Sequence, residues 1–306
     1  MKQRVTLVVP CYNEEQRFQS RAFSEFAGQS PSIRFLFVND GSTDRTETIL
    51  KGLCQENGRQ FAYLGLAKNS GKAEAVRQGL CEALTQKGDI VGFWDADLAA
   101  PLGNLVDLLP LFENYPSLEI VLGSRFPLAG RVIQRKASRA FLGRCFSKVA
   151  STLCGLKLYD SQCGAKLFRV TPTLTKLFSH PFQSSWIFDV EFLARHLALK
   201  ETTSAGKLKQ DIWGTIYEHP LRHWHEVKGS KLRSRDFLVA AGELLKIWWS
   251  YSKWNPSRGD HLKFLDSAHD TSLVAERTPF DDHPEVIPSP FKETIPRKVT
   301  LPSKAA

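Results

Sequence analysis

The chain has 306 residues, 42% of them hydrophobic and 24% charged, with a formal charge of +9 and a pI near 9.3. That length suits one or two domains with a sizeable core, and the basic excess points to an anionic partner (phosphate, nucleic acid or acidic lipid) while leaving the fold open. The six cysteines form no CxxC pair and have no His cluster beside them, which argues against a zinc centre and for scattered thiols in a reducing compartment.

Strand-like runs alternate with helix-like segments. VTLVV (5–9) reads as a strand inside MKQRVTLVVP, a run too short for a signal peptide's core. It leads into VVPCYNEE, where a dinucleotide-binding enzyme would need GxGxxG, so that class is excluded. IRFLFV (33–38) is a second strand, running into VNDGSTD; the following DRTETILKGLCQE has helical spacing, with Asp44 as its expected cap and Glu47 three residues on. FAYLGL (61–66) is a third strand, and GKAEAVRQGLCEALTQ a helix with Ala73, Val76, Leu80, Cys81 and Leu84 on one face. Its SGK lacks the loop of GxxxxGK[ST], which excludes P-loop enzymes. DIVGFW (89–94) and EIVLGS (119–124) complete five strands. The alternation predicts an α/β fold with a mostly parallel sheet covered on both faces. Ligands of such sheets sit beyond the carboxyl ends of the strands, and VVPCYNEE, VNDGSTD and WDAD all fall on that rim.

Beyond residue 136 the pattern is helical. SRAFLGRCFSKVASTL puts Leu142, Cys145, Phe146, Val149 and Leu153 on one stripe, with Arg144 and Lys148 on the other side. SWIFDVEFLARHLAL (185–199) is a further helix. DFLVAAGELLKIWWSYSKW (236–254) carries Trp248, Trp249 and Trp254, but Glu243 and Lys246 interrupt it, and it falls short of the roughly 20 apolar residues that cross a bilayer. The sequence therefore predicts a cytoplasmic protein without a membrane span. After Asn255, prolines and scattered charges without periodicity predict a disordered tail, 254–306, behind a folded unit over 1–253.

Asp95 and Asp97 close the apolar run IVGFW. Aspartate is a common strand stop, and a lone DxD arises by chance. On a rim where Asp40 and Asp44 also emerge, the pair reads instead as oxygen ligands for Mg²⁺ or Mn²⁺, held by one or two carboxylates plus substrate phosphates. Such an ion neutralises a departing diphosphate.

VVPCYNEE, FVNDGSTDRT, NSGKAEAVRQG, WDADLAAP and GSRF, in this order and spacing, resemble the family 2 glycosyltransferases of GT-A fold. DSQCGAKLF, WIFDVEF and HEVKGSKL narrow the resemblance, over residues 4–253, to the branch that glycosylates dolichyl and other polyprenyl phosphates, closer to its glucosyl than to its mannosyl members. The resemblance implies a Rossmann-like sheet and a nucleotide-sugar donor, UDP-glucose being favoured. It places Pro10, Tyr12 and Glu14 around the base, Asp40 with Gly41 and Ser42 at base or ribose, and Gly71 and Lys72 on the nucleotide-side loop. Asp95, Ala96 and Asp97 fall at ribose, diphosphate and metal. Ala99 stands where mannosyl members carry a glutamine, so one side-chain ligand is missing.

A phosphate monoester is largely a dianion at neutral pH, its second pKa lying near about 6. An acceptor of that kind needs cationic positioning rather than a base. By the resemblance Arg125 and Arg139 serve the acceptor phosphate, with Gln162 and Lys231 beside it. They lie in or near the most basic segment, which also holds Arg131, Arg135, Lys136, Arg144 and Lys148. Asp189 occupies the position of the base in relatives with hydroxyl acceptors, and Lys166 or Lys231 is its expected partner, since an unpaired buried carboxylate is costly. Asp97, Asp189, Arg125 and Arg139 are thus the candidate catalytic residues. The tryptophan-rich helix suits either a membrane interface or core packing. Two other readings stay open: a hydroxyl-acceptor transferase with Asp189 as base, and a non-catalytic nucleotide- or anion-binding domain. No nucleic-acid-binding module is recognisable.

Overall fold

The five strand-like runs form β1 (Val5–Cys11), β2 (Ile33–Asn39), β3 (Phe61–Leu66), β4 (Ile90–Trp94) and β5 (Ile120–Ser124). The computed structural model describes residues 3–155, 158–203, 214–227, 234–251 and 273–281. Helices α1 (Ser20–Gln29), α2 (Thr46–Glu56), α3 (Lys72–Leu84) and α4 (Leu105–Asn114) connect those strands. The rest of the described chain adds β6 (Val132–Gln134), α5 (Ala137–Cys154), β7 (Ala165–Arg169), α6 (Pro172–Phe178) and α7 (Phe188–Thr203). Then come β8 (Ile216–Pro220), β9 (His223–His225), α8 (Ser234–Tyr251) and β10 (Val274–Thr278).

Eight strands form one sheet in the order β10-β3-β2-β1-β4-β7-β5-β8, while β6 and β9 pair separately. β1, β2, β3 and β4 are parallel, β8 is parallel to β5, and β7 and β10 run against their neighbours. Residues alternate between two cores. Val8, Leu36, Val38 and Leu64 pack with α3, α6 and α7 on one face. Leu7, Val9, Phe35, Phe37 and Phe61 pack with α1, α2 and α4 on the other. Burial on both faces explains why these strands read as unbroken apolar runs.

Four sequence readings need correction. α2 begins at Thr46, and Asp44 takes no cap position; its carboxylate instead accepts the amides of Thr46 and Glu15 and ties the first rim loop to the second. Of the apolar stripe expected on α5, Phe146 packs against the core, whereas Cys145 and Val149 are exposed and the Leu142 and Leu153 side chains lie outside the described residues; Ser147 and Ala150 are buried instead. DSQCGAKLF contains a strand, β7, that was too short to show a period. Finally, the presumed disordered tail contributes β10, an edge strand antiparallel to β3; the remainder of that tail lies outside the described residues. No described helix is long and apolar enough to cross a membrane.

Candidate active site

The ends of β1, β2 and β4 bring their motifs to one edge of the sheet, and the reversed strand adds to it. β4 ends at Trp94 opposite Ala165, the first residue of β7, so the loop preceding β7 arrives at the rim where β4 ends. Asp95 N–H donates to the Gly164 carbonyl at 2.9 Å. A Cβ on residue 164 would lie 1.9 Å from an Asp95 carboxylate oxygen, so only glycine leaves room for that carboxylate. The turn continues with Leu98 N–H on the Asp95 carbonyl, Leu98 itself at φ +51°, and the buried Trp94 indole donating to the Ala100 carbonyl at 2.6 Å. Ala96 and Ala99 are buried in this turn, and Ala99 N–H donates to Asp97 Oδ1 at 3.0 Å. A non-glycine residue at positive φ stores strain of a kind common where a loop must present ligands.

On the nucleotide side, Asp40 is buried and accepts the amides of Ser70 (2.7 Å) and Gly71 (2.9 Å). Desolvation holds its carboxyl above the ordinary range, opposed by those two amides. Asp40 therefore fastens the SGK loop to the second rim loop. Gly41 turns at φ +61° beneath the Lys68–Asn69 backbone, and the Ser42 hydroxyl accepts Asn13 N–H at 3.0 Å. Pro10 and Tyr12, half-buried, flank the same opening. Glu14 pairs with Arg17 at 2.6 Å, which ties up the carboxylate expected near the base.

The carboxylates converge on two ammonium groups. Lys72 Nζ lies 2.6 Å from Asp95 Oδ1, and Lys166 Nζ lies 2.7 Å from Asp189 Oδ1. Desolvation of Lys72 is more than offset by Asp95 and Asp189, which raise its pKa, and Asp97 adds to them. Desolvation raises the Asp97 carboxyl, and neighbouring Asp95 adds to the shift. Desolvation likewise raises Asp189, against the pull of Lys166 and Lys72. Lys166 is wholly buried, also donates to the Cys163 carbonyl at 2.5 Å, and lies 5.2 Å from the Phe93 ring centre. Of the two expected partners of Asp189, the structure supplies Lys166; Lys231 lies outside the described residues.

The donor set fits a hard divalent cation. Among the described residues Asp95 Oδ1 is buried with no hydrogen-bond partner beyond its ion pair with Lys72. Among the described residues no group of three or more side chains could hold a metal ion, so Asp95 and Asp97 would hold it together with donor phosphates.

The acceptor side is cationic. Arg125, just after β5, pairs with buried Asp160 through Nε and Nη2, both at 2.6 Å, and its own amide donates to Asp160 at 3.0 Å. Asp160 outweighs desolvation and raises the Arg125 pKa. Conversely, against desolvation, Arg125 pulls the Asp160 carboxyl down to about 2. Glu218 on β8 fixes this pair by accepting the amides of Tyr159 and Asp160, each at 2.7 Å. Gln162 is half-buried beside it, its amide 3.3 Å from Asp160 Oδ1. Arg139 lies on α5, but its side chain falls outside the described residues.

The family model for glycosyl transferase family 2 matches residues 6–173, more than half the chain. The chain belongs to glycosyl transferase family 2. This family 2 glycosyltransferase is 31% identical over 264 residues to the dolichyl-phosphate beta-glucosyltransferase of Drosophila melanogaster, covering 81% of this chain and 75% of that one. It is 30% identical to the Saccharomyces cerevisiae protein of the same name, with the same coverage. It is 31% identical to the Homo sapiens protein of that name, covering 75% of this chain and 69% of that one. Among solved structures it resembles glucosyl-3-phosphoglycerate synthase from Mycobacterium tuberculosis in complex with Mn²⁺ and UDP-glucose, at TM-score 0.55 and 16% identity over 81% of this chain and 79% of that one. That likeness establishes the GT-A-like fold.

Two residues of the glycosyltransferase site were readable beforehand only as letters of a motif. Asp160 and Gly164 acquire their roles because β7 starts at the rim and runs back antiparallel to β4, and no periodicity in DSQCGAKLF announces that direction.

Proposed function

We propose that this glycosyltransferase moves glucose from UDP-glucose onto a dolichyl or other polyprenyl phosphate, with inversion at the anomeric carbon. The observation that carries the reading is the division of the rim by charge. Asp95 and Asp97 stand on the donor side, and the Asp160-braced Arg125 stands within the field of Asp95 on the acceptor side. Carboxylates address a diphosphate through a metal, whereas guanidiniums address a phosphate directly. The names of the relatives support the acceptor, and the Mn²⁺ and UDP-glucose bound by the structural neighbour support the donor and a divalent ion.

The acceptor's phosphate oxygen attacks the anomeric carbon and forms the new C–O bond. The bond to the β-phosphate breaks, its electron pair leaving with UDP, and no proton need be removed from the acceptor. Bound Mg²⁺ or Mn²⁺ supplies neutralisation of the leaving diphosphate. Asp95 and Asp97 would hold that ion, Lys72 adds a cation beside them, and the Asp40-anchored loop shapes the nucleotide side. Asp189 orients Lys166 rather than serving as a base, since its Oδ1 is engaged by the buried ammonium.

Delivery of a lipid acceptor is served by α5 and α8. Phe141, Val149, Leu245 and Trp249 are exposed there beside exposed Arg144, Lys148 and Lys246, a mixture suited to an anionic membrane surface. Trp248 is half-buried, so the tryptophan-rich helix divides between surface and core; Trp254 lies outside the described residues. Purified protein incubated with labelled UDP-, GDP- or dTDP-sugars, Mn²⁺ and polyprenyl phosphate is expected to give an organic-phase product with UDP-glucose. Absence of product with every donor overturns the lipid-phosphate reading.

A further inference from the structure

We infer that Glu243 is a positioning residue for the donor side of the reaction: from α8 it fixes the loop before α7, and through Asp189 and Lys166 it sets the seat of the Asp95 carboxylate. The inference rests on the donor half of the proposed reaction, the divalent ion held by Asp95 and Asp97, and is independent of the acceptor.

Glu243 is a charge inside the apolar run FLVAAGELLKIWW. α8 buries Leu244 and Ile247 in the core it shares with α7 and keeps Glu243 half-buried beside them. The Glu243 carboxylate accepts four hydrogen bonds from three residues: Ser185 N–H and Oγ–H at 3.0 Å each, Trp186 N–H at 3.2 Å and Ile187 N–H at 3.3 Å. The two preceding amides, of Gln183 and Ser184, go to Glu191 of α7 itself, at 3.1 and 2.9 Å. Five consecutive amides are thus shared between two carboxylates, and of the two only Glu243 comes from another helix. The Ser250 hydroxyl of α8, 3.0 Å from Gln183 Oε1, ties the loop to the same helix a second time. The start of a helix carries N–H groups that its own turns cannot satisfy, and its dipole favours an anion there. The α8 carboxylate meets both needs and so decides where α7 begins.

From that point a chain of contacts runs to the DxD turn. Asp189, two residues beyond Ile187, lies 2.7 Å from Lys166 Nζ. Lys166 in turn donates to the Cys163 carbonyl at 2.5 Å. The next residue, Gly164, accepts Asp95 N–H at 2.9 Å and leaves the Asp95 carboxylate the room that a Cβ would take. Asp189 and Lys166 are both buried, and a close-packed interior passes a displacement on rather than absorbing it. A shifted start of α7 therefore reaches the carboxylate that faces the ion.

The test titrates UDP-glucose into the full chain by calorimetry, with and without Mn²⁺. The wild type is expected to bind more tightly with the ion. Glu243→Ala should lose about 10-fold of affinity in Mn²⁺, the lower end for partners that orient a metal ligand. Without Mn²⁺ its affinity should match wild type, because the Asp40-anchored loop is untouched. Glu243→Gln keeps the shape and one acceptor oxygen, and its loss should be about 3-fold, since a neutral acceptor bonds about half as strongly as a charged one. Hydrogen exchange at residues 185–187 should quicken in Glu243→Ala, while the Gln183 and Ser184 amides held by Glu191 stay slow. Phe280→Ala, which empties a buried position beside β10, should keep the wild-type Mn²⁺ response and so separates positioning from a general loss of stability. An undiminished Mn²⁺ response in Glu243→Ala or, should that variant not fold, in Glu243→Gln overturns the inference alone. A wild type whose UDP-glucose binding ignores Mn²⁺ removes the metal reading of the proposed function, and the inference falls with it.

Discussion

Gly164 shows how a residue without a side chain can decide where a charge sits. The space its missing Cβ leaves is filled by the Asp95 carboxylate, and its carbonyl holds Asp95 N–H. Gly164→Ala is expected to push that carboxylate aside and to cut kcat/KM about 100-fold, the scale on which a displacement near 1 Å acts. Far-UV circular dichroism should stay native, because the clash falls on a side chain at the rim. Steady-state kinetics with UDP-glucose check this, and unchanged kcat/KM refutes it. The Lys166–Asp189 pair behaves differently because both groups are buried. Asp189→Asn leaves a buried ammonium unpaired and should cost about 3–5 kcal/mol of stability, whereas Lys166→Met with Asp189→Leu recovers most of it. Urea unfolding distinguishes the two, and equal midpoints for the single and double variants contradict the argument. Rim carboxylates were legible in the sequence because the motifs name them. The partners of those carboxylates were less legible, since pairing across β4 and β7 depends on a strand direction that local pattern does not encode.

At the scale of elements, legibility follows burial. β1 to β5 were readable because each buries nearly every residue and so appears as a continuous apolar run. β10 was not, because VAERT leaves four of its five residues exposed and holds its place by backbone pairing. Around it, Lys51 pairs with Glu276 at 2.6 Å, Phe280 is buried with the Arg34 guanidinium 5.0 Å from its ring centre, and Asp281 N–H donates to the Gly58 carbonyl. α5 was only partly legible: Phe146 of its predicted stripe packs on the core, while Cys145 and Val149 stay exposed. A chain ending at residue 272 uncovers the β3 edge. Loss of several backbone bonds and of the Phe280 contact is expected to remove about 2–4 kcal/mol, lowering Tm by about 5–10 °C. An exposed edge also promotes association. Scanning calorimetry with light scattering checks both effects, and an unchanged Tm would show that β10 contributes nothing to the sheet.

For the whole molecule, the sign of each buried group's shift sets the response of stability to pH. Asp40, Asp97 and Asp189 have raised carboxyls, so each contributes stability at low pH that is lost as pH rises through its folded value. The site therefore weakens the neutral-pH fold and gains from whatever cation or donor binds it. Asp160 acts oppositely: its contribution is complete above the unfolded carboxylate value and disappears as pH falls toward about 2. His196 governs the range between. It is buried on α7 with its ring Nε2 3.0 Å from the Thr215 hydroxyl, and burial, reinforced by Lys200, lowers its pKa to about 3. Lys200 is itself paired with Glu119 from the neighbouring β5 edge, and among the described residues only Lys200, a cation, acts on the imidazolium. An unfolded chain takes up the proton near pH 6.5 while the folded chain refuses it. The His196 contribution is thus complete above that pH and falls by about 2 kcal/mol at pH 5, at roughly 1.4 kcal/mol per pH unit. Tm should drop by about 4–8 °C between pH 7 and pH 5, well before any carboxylate of ordinary pKa titrates. His196→Gln, which keeps a polar partner for Thr215 and carries no titratable ring, should remove most of that decline, leaving the smaller share of half-buried His219, whose pKa desolvation and then Arg131 also lower. Superimposable Tm profiles for the wild type and His196→Gln from pH 7 to 5 would show that the acid limb belongs to some other group.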